Sequence, residues 1–325
     1  MSPIRVGVLR GGPTSEHDIS LLSGANILEN LQRELYRPVD IFIDREGTWH
    51  VRGVPMSPER ALADIDVVFN KVHGQYGEDG TVQRILDRIG IPYTGAGAYA
   101  SGLSFNKPLT KEILAQHGVT MPRHKVLKVS PDLEREAREA FRAFSPPVIV
   151  KPASSGSSMG MTLAKTFPEF WEGVKKAFEH SSQVLVEEYI KGKEATAGVV
   201  EGLRGKKLYN ALPVEIIPPP KAAFFDREVK YNGETIERVP GNFSREETKE
   251  LERLARLAHE VLGLRHYSRS DFIVSPRGVY FLETNSAAGV GLTKESLLPK
   301  SLAAAGVSFP EFLDHVIAMT LERKS

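Results

Sequence analysis

Glu283 and Asn285 stand two residues apart where an apolar run, residues 279–282, gives out in the stretch VYFLETNS. If that run is a strand, side chains at i and i+2 share one face, so a carboxylate and a carboxamide point the same way. Both offer oxygen, the donor that a hard cation such as Mg²⁺ selects. Upstream, SRSDFIV (268–274) repeats the spacing with Arg269 and Asp271. A hairpin through the turn at 275–278 brings three oxygen donors and a guanidinium together. Two ordinary hairpin strands ending in solvated charges would carry the same residues.

Other stretches invite the same double reading. In KPASSGSSMGMT (151–162), Gly156, Gly160 and small serines let backbone N–H groups close around an anion, with Lys151 at the end of the preceding strand. It lacks the GK[ST] of a P-loop and a strand follows it, so a glycine–serine hairpin turn is the alternative. In VEEYIKGKE (186–194) an apolar strand runs into acids. Its exposed backbone can read adenine and a carboxylate can accept from ribose hydroxyls, or the charges can simply protect an edge. HGQYGEDG (73–80) offers His73, Glu78 and Asp79 to a ligand, with Asp79 also suited to helix capping. In GGPTSEHDIS (11–20), Thr14 or Ser15 can cap a helix whose dipole favours Glu16 in its first turn.

The elements that must position these groups alternate along the chain. IRVGVLRGG, DIFI (40–43) and DVVFNKV (66–72) read as strands, with helices at about 15–31, 80–89 and 98–104, an α/β layer over residues 1–100. Residues 101–192 give a helix from Lys107, four short strands and two helices, an α+β unit with antiparallel character. Residues 193–325 give strands at 195–201 and 208–217, a long proline-bearing loop, a helix, the acid-bearing pair and two terminal helices. Such a loop in a compact domain is usually functional or disordered. With 325 residues, three domains can each bury a core. A net charge of +1 marks no nucleic-acid or membrane footprint, and the lack of cysteine excludes disulfides, thiolate zinc and cysteine nucleophiles. No apolar run reaches the length of a membrane span, and MSPIRVGVLRGG reads as a strand rather than a leader, so a cytoplasmic enzyme or binding protein is expected.

Taken in order, GGPTSEHDIS, HGQYGEDGTVQ, the Lys107 helix, VIVKPASSGSSMGM, VLVEEYIKGKE, FFDREVKY, SRSDFIV, FLETNS and ESLLPKSL resemble the D-alanine–D-alanine ligases of the ATP-grasp superfamily, over nearly the whole chain. The resemblance implies an ATP-grasp fold of three domains behind an N-terminal parallel layer. It implies ATP-dependent joining of two D-alanines through an acyl phosphate, for peptidoglycan precursors. Asp271, Glu283 and Asn285 match its site for two Mg²⁺ ions (Mn²⁺ being an alternative), and Lys107 and Lys151 its phosphate lysines. Glu187, Tyr189, Ile190 and Glu194 match the adenine and ribose contacts, and the serine loop with Ser158 the flap over the phosphates. Glu16 and His73 match the groups around the first substrate, and Ser296 and Leu297 the helix start that holds the second substrate's carboxylate. Arg269 and a glycine N–H match the oxyanion donors. Lys230 and Tyr231 match the closing loop, with Ser157 linking Tyr231 to Glu16.

The family is commonly homodimeric. Its depsipeptide-forming members replace the loop tyrosine, so Tyr231 points to an amine acceptor rather than D-lactate; an inactive nucleotide-binding homologue is the third reading. One departure stands out. The family text runs close to N-T-x-P-G-x-T-x-x-S-L, whereas here NSAAGVGLTKES (285–296) is two residues longer and lacks the proline. Counting from Asn285 makes Gly289 the oxyanion donor; counting back from Ser296 makes it Gly291. Asn285, set by a strand, is the firmer anchor and favours Gly289. The longer turn is expected to be looser, with weaker binding of the second D-alanine.

Overall fold

The computed structural model describes residues 3–156, 159–219 and 235–322. Ser157, Ser158, Lys230 and Tyr231 lie outside them.

The first sheet holds β1 (Ile4–Gly11), β2 (Tyr36–Ile43), β3 (Trp49–Val51), β4 (Val54–Met56) and β5 (Val67–Asn70), in the order β4-β3-β2-β1-β5. β1 runs parallel to both β2 and β5, as a strand–helix–strand alternation demands; β3 and β4 add an antiparallel edge. Its helices are α1 (His17–Asn30), α2 (Pro58–Ala61) and α3 (Thr81–Ile89). Helices α4 (Ala98–Phe105) and α5 (Lys107–Ala115) lead to the second sheet: β6 (His124–Lys128), β7 (Val148–Pro152), β8 (Thr162–Ala164) and β9 (Gln183–Glu188), with α6 (Leu133–Arg142) and α7 (Phe167–Phe178). This sheet is antiparallel throughout, in the order β6-β9-β7-β8. Val148, Val150, Val184 and Val186 alternate onto one face and bury Phe170 and Val174 of α7.

The third sheet has six strands: β10 (Lys193–Glu201), β11 (Leu208–Asn210), β12 (Val214–Ile217), β13 (Ile236–Arg238), β14 (Tyr267–Ser275) and β15 (Gly278–Ser286). What reads in sequence as one strand over 208–217 is two, because β11 and β12 pair with different ends of β10. α8 (Arg245–Val261) opens with a capping box between Ser244 and Glu247 and lays Leu251, Leu254 and Ala258 on Phe272 and Phe281. The chain closes with α9 (Leu297–Ala304) and α10 (Phe309–Glu322).

Two packing facts bind the sheets together. Leu103 of α4 and Leu114 of α5 join the third sheet's core. Phe312 and Ile317 of α10 share a core with Val8 and Phe69 of the first sheet and Ile27 of α1. The chain's end therefore seals its beginning, and the loops after β1, β5, β7 and β15 meet between the sheets.

Candidate active site

The hairpin forms through the turn at 275–278 with Asp271 opposite Glu283 and Arg269 opposite Asn285, and a bulge follows Asp271. The Arg269 guanidinium grips Asp271 from Nε (3.0 Å) and Nη2 (2.8 Å), and Thr196 of β10 donates its hydroxyl to Asp271 Oδ1 at 2.6 Å. Asn285 donates Nδ2 to Asp271 Oδ2 at 3.4 Å, which leaves its carbonyl oxygen for another partner. Two of the three guanidinium nitrogens of Arg269 are thus used on Asp271. Glu283 faces Lys107 Nζ at 3.3 Å. Burial alone would raise the Glu283 carboxyl, but Lys107, Lys151 and Arg269 hold it down at about 2, so it is an anion at neutral pH.

Lys107 is the first residue of α5, whose N-cap Asn106 accepts the N–H of Leu109. Its ammonium also donates to the carbonyl of Ser155, at the start of the glycine–serine loop. Lys151, near the end of β7, does not point into open space: its Nζ meets Glu187 Oε2 at 2.7 Å. Resemblance put Glu187 among the adenine and ribose contacts. Its carboxylate is 2% exposed and lies between Lys151 and Lys111, whose Nζ is 2.8 Å from Oε1. Lys111 lies one helical turn after Lys107 and passed unnoticed in the sequence; the i, i+4 spacing on a helix was its only signal. Of the other expected nucleotide contacts, Ile190 packs on Ile273, Tyr280 and Leu282, while Tyr189 and Glu194 are half-buried on and just after the β9–β10 connection.

A second group of acids lies on the first sheet's side. Glu16 is itself the N-cap of α1, in place of Thr14 or Ser15; the Thr14 hydroxyl instead accepts the Glu16 N–H at 3.2 Å. Glu78 is buried and accepts the Gly74 N–H at 2.6 Å. Burial and the charge of Glu16 push its carboxyl up to about 7, against the pull of Gly74, Lys71 and Lys107. Asp79 accepts the N–H groups of Thr81 and Tyr76 from just outside α3, whose N-cap is Gly80. His73 is buried with Nε2 3.2 Å from the hydroxyl of Ser23 on α1.

Glycines bring these groups together because a side chain would strike a carboxylate. A Cβ on Gly156 would lie 2.2 Å from Glu16 Oε2, and one on Gly289 would lie 2.0 Å from Glu78 Oε2. Glu78, Lys107, Ser155, Gly156, Glu283 and Asn285 line one narrow cavity. The turn after Asn285 divides the two glycines. The N–H of Gly289 is committed to the Ser286 carbonyl at 2.9 Å, so oxyanion duty there would first have to break that bond. Gly291 sits against Ser296, whose hydroxyl accepts the Thr293 N–H at 3.0 Å ahead of α9. Leu297 is buried against Val214 and Ile216.

The crowding at Gly289 makes a test. Gly289→Ala must displace Glu78, which is pinned by Gly74, and overpacking of this kind costs about 1–3 kcal/mol. The expected result is a tenfold to hundredfold fall, roughly, in kcat/KM for the amino-acid substrate with nucleotide affinity unchanged. Steady-state kinetics with each substrate varied in turn checks it; an unaltered enzyme would mean that the turn moves freely.

The chain is similar to proteins of one family along nearly its whole length. The family model described as D-ala D-ala ligase N-terminus matches residues 5–59 and 51–96, and that described as D-ala D-ala ligase C-terminus matches 113–318. The D-alanine–D-alanine ligase of Clostridium beijerinckii is 35% identical over 98% of this chain and 99% of its own length. That of Geotalea uraniireducens is 35% identical over 97% and 94%. Among solved structures, the D-alanine–D-alanine ligase of Coxiella burnetii superposes with a TM-score of 0.84 at 27% identity, covering all of this chain and 95% of that one. The VanG D-Ala:D-Ser ligase of Enterococcus faecalis gives 0.84 at 26% identity over 98% and 100%. With both halves matched by the two family models and relatives aligned end to end, the chain belongs to the D-alanine–D-alanine ligase family and has its ATP-grasp fold.

Proposed function

We propose that the chain joins two D-alanines at the expense of ATP, with roles set by the cavity between its sheets. The observation that carries this is the convergence of Lys107, Glu283 and Asn285 with Gly156 on one cavity, where phosphate-binding and oxygen-donor chemistry meet. Asp271, Glu283 and Asn285 fit Mg²⁺: among the described residues no three His, Cys, Asp or Glu side chains cluster, so the set is two carboxylates and an amide, the sparse kind that Mg²⁺ completes with substrate phosphates. When bound, Mg²⁺ neutralises charge on the transferring phosphoryl group.

In this reading Lys107 and Lys151 hold the phosphates, and Tyr189, Ile190 and Glu194 the nucleoside. Glu16 receives the first substrate's ammonium, with His73 beside its carboxylate. The carboxylate attacks the γ-phosphorus, ADP leaves, and the second amine attacks the acyl phosphate. Arg269 and a turn N–H stabilise the tetrahedral oxyanion before phosphate departs. Ser296 and Leu297 begin a helix whose N-terminus suits the second carboxylate. The flap with Ser158 and the closing loop with Lys230 and Tyr231 exclude water from the acyl phosphate, Ser157 linking Tyr231 to Glu16. Tyr231 favours D-alanine over D-lactate as acceptor. A cytoplasmic homodimer completes the proposal; no single helix among the described residues is long and apolar enough to cross a membrane.

The test is phosphate release and dipeptide formation with ATP, Mg²⁺ and D-alanine, compared with D-alanine plus D-lactate. Dipeptide with D-alanine alone, lost with chelator and restored by Mg²⁺, is expected. Folded protein that binds nucleotide and forms no dipeptide would overturn the reading.

A further inference from the structure

Lys71 follows β5 and is 0% exposed. A fully buried ammonium is costly unless its three N–H donors are used. Here its Nζ meets the carbonyls of Ala287 (2.8 Å), Ala288 (2.9 Å) and Val290, all in the turn after Asn285. Burial lowers the Lys71 amine to about 7, and the three carbonyl acceptors, one more than the two donors of a neutral amine can serve, favour the ammonium form. The base of the side chain is equally fixed: the Lys71 N–H donates to Leu9 O at 2.9 Å, and its carbonyl accepts the Ser20 hydroxyl at 2.7 Å. Lys71 is therefore a strut from the first sheet to the turn of the third.

The turn has the form of one helical turn. The N–H groups of Gly289 and Val290 both donate to Ser286 O, and a cation at the carbonyls that follow is favoured electrostatically. Its far end is held from α1, where Asn26 Nδ2 donates to Leu292 O at 2.7 Å and Ser23 accepts the Leu292 N–H at 3.4 Å. Asn285 precedes this turn and Ser296 follows it, so its shape sets the spacing between the hairpin and the start of α9.

We propose that Lys71 is a positioning residue for the acceptor step: its ammonium, anchored in the first sheet, holds the 286–292 turn by three carbonyls in the geometry that receives the second substrate. The proposal rests on the ligase reading for the identity of that substrate. It replaces the expectation of a loose turn, since the missing proline is compensated by a cation that grips the backbone directly.

The test is Lys71→Met, which keeps length and loses every donor, beside Lys71→Arg and Lys71→Gln, which keep donors. For Lys71→Met, KM for the second D-alanine should rise at least about tenfold, with KM for ATP within about twofold, the decade corresponding to loss of the ammonium's polar contacts. Lys71→Arg should recover most of that loss. Backbone amides of 289–292 should exchange with deuterium faster in Lys71→Met, and this measurement needs no turnover, so the clamp can fail or hold independently of the ligase reading. If Lys71→Met does not fold, Lys71→Gln is read by the same two measurements. Unchanged acceptor KM with unchanged exchange in a folded variant overturns the proposal, as does a loss shared equally by ATP and both D-alanines.

Discussion

Glu283→Gln is expected to cut ligation at least about a thousandfold while the protein still folds and binds nucleotide. The reason lies in the charge balance around one oxygen pair. Glu283 is the anion that Lys107 faces at 3.3 Å, and it is held ionised by Lys107, Lys151 and Arg269 against the upward push of burial. A neutral amide leaves that cationic cluster uncompensated and offers a divalent ion one weaker oxygen in place of a carboxylate. Removing a metal ligand forfeits several kcal/mol of transition-state charge stabilisation, and about 1.4 kcal/mol is a decade in rate. Single-turnover measurement of phosphate release separates this from slow product release. A folded Glu283→Gln enzyme within tenfold of wild type would remove Glu283 from the metal site.

Glu187→Gln should act on stability first. Its carboxylate is the shared counter-ion of Lys111 and Lys151, at 2.8 and 2.7 Å, and Lys111 is fully buried. Breaking a buried ion pair by removing one partner costs about 3–5 kcal/mol, because the remaining charge stays unpaired in a poor solvent. The pH dependence carries the same signature. Burial would raise the Glu187 carboxyl, but the two lysines lower it from 4.5 to about 2. A lowered folded-state value means stability that is complete above 4.5 and drains away as pH falls toward 2. Thermal melts should show a lower Tm for Glu187→Gln at pH 7 and a shallower decline between pH 4.5 and 3. Equal melting temperatures at neutral pH would mean that the lysines find other partners. Lys151, no longer tethered, should also bind nucleotide less well.

Short-range features of this protein were legible in its residues. Period-two spacing in SRSDFIV and FLETNS is local information, and it specified the β14–β15 hairpin with Arg269 and Asp271 on one strand facing Asn285 and Glu283 on the other. The alternation of strands and helices at the start likewise dictated a parallel layer, since parallel neighbours need a crossover between them. The ordered motifs were enough to recognise the family. What the residues alone could not reveal is which charges meet across the chain. Lys71 grips a turn more than two hundred residues away, separations of 216 and 219 positions to Ala287 and Val290. Glu78 lies against Gly289, Gly156 against Glu16, and Glu187 between Lys111 and Lys151. Periodicity reports the face on which a side chain lies and says nothing of what the opposite face belongs to. A buried lysine reads like a surface lysine until packing removes the water around it. Local chemistry thus chose the strands and their oxygen donors. Tertiary packing chose their partners, because desolvation makes a charge costly and obliges each buried one to find an opposite charge or a carbonyl wherever the fold places it.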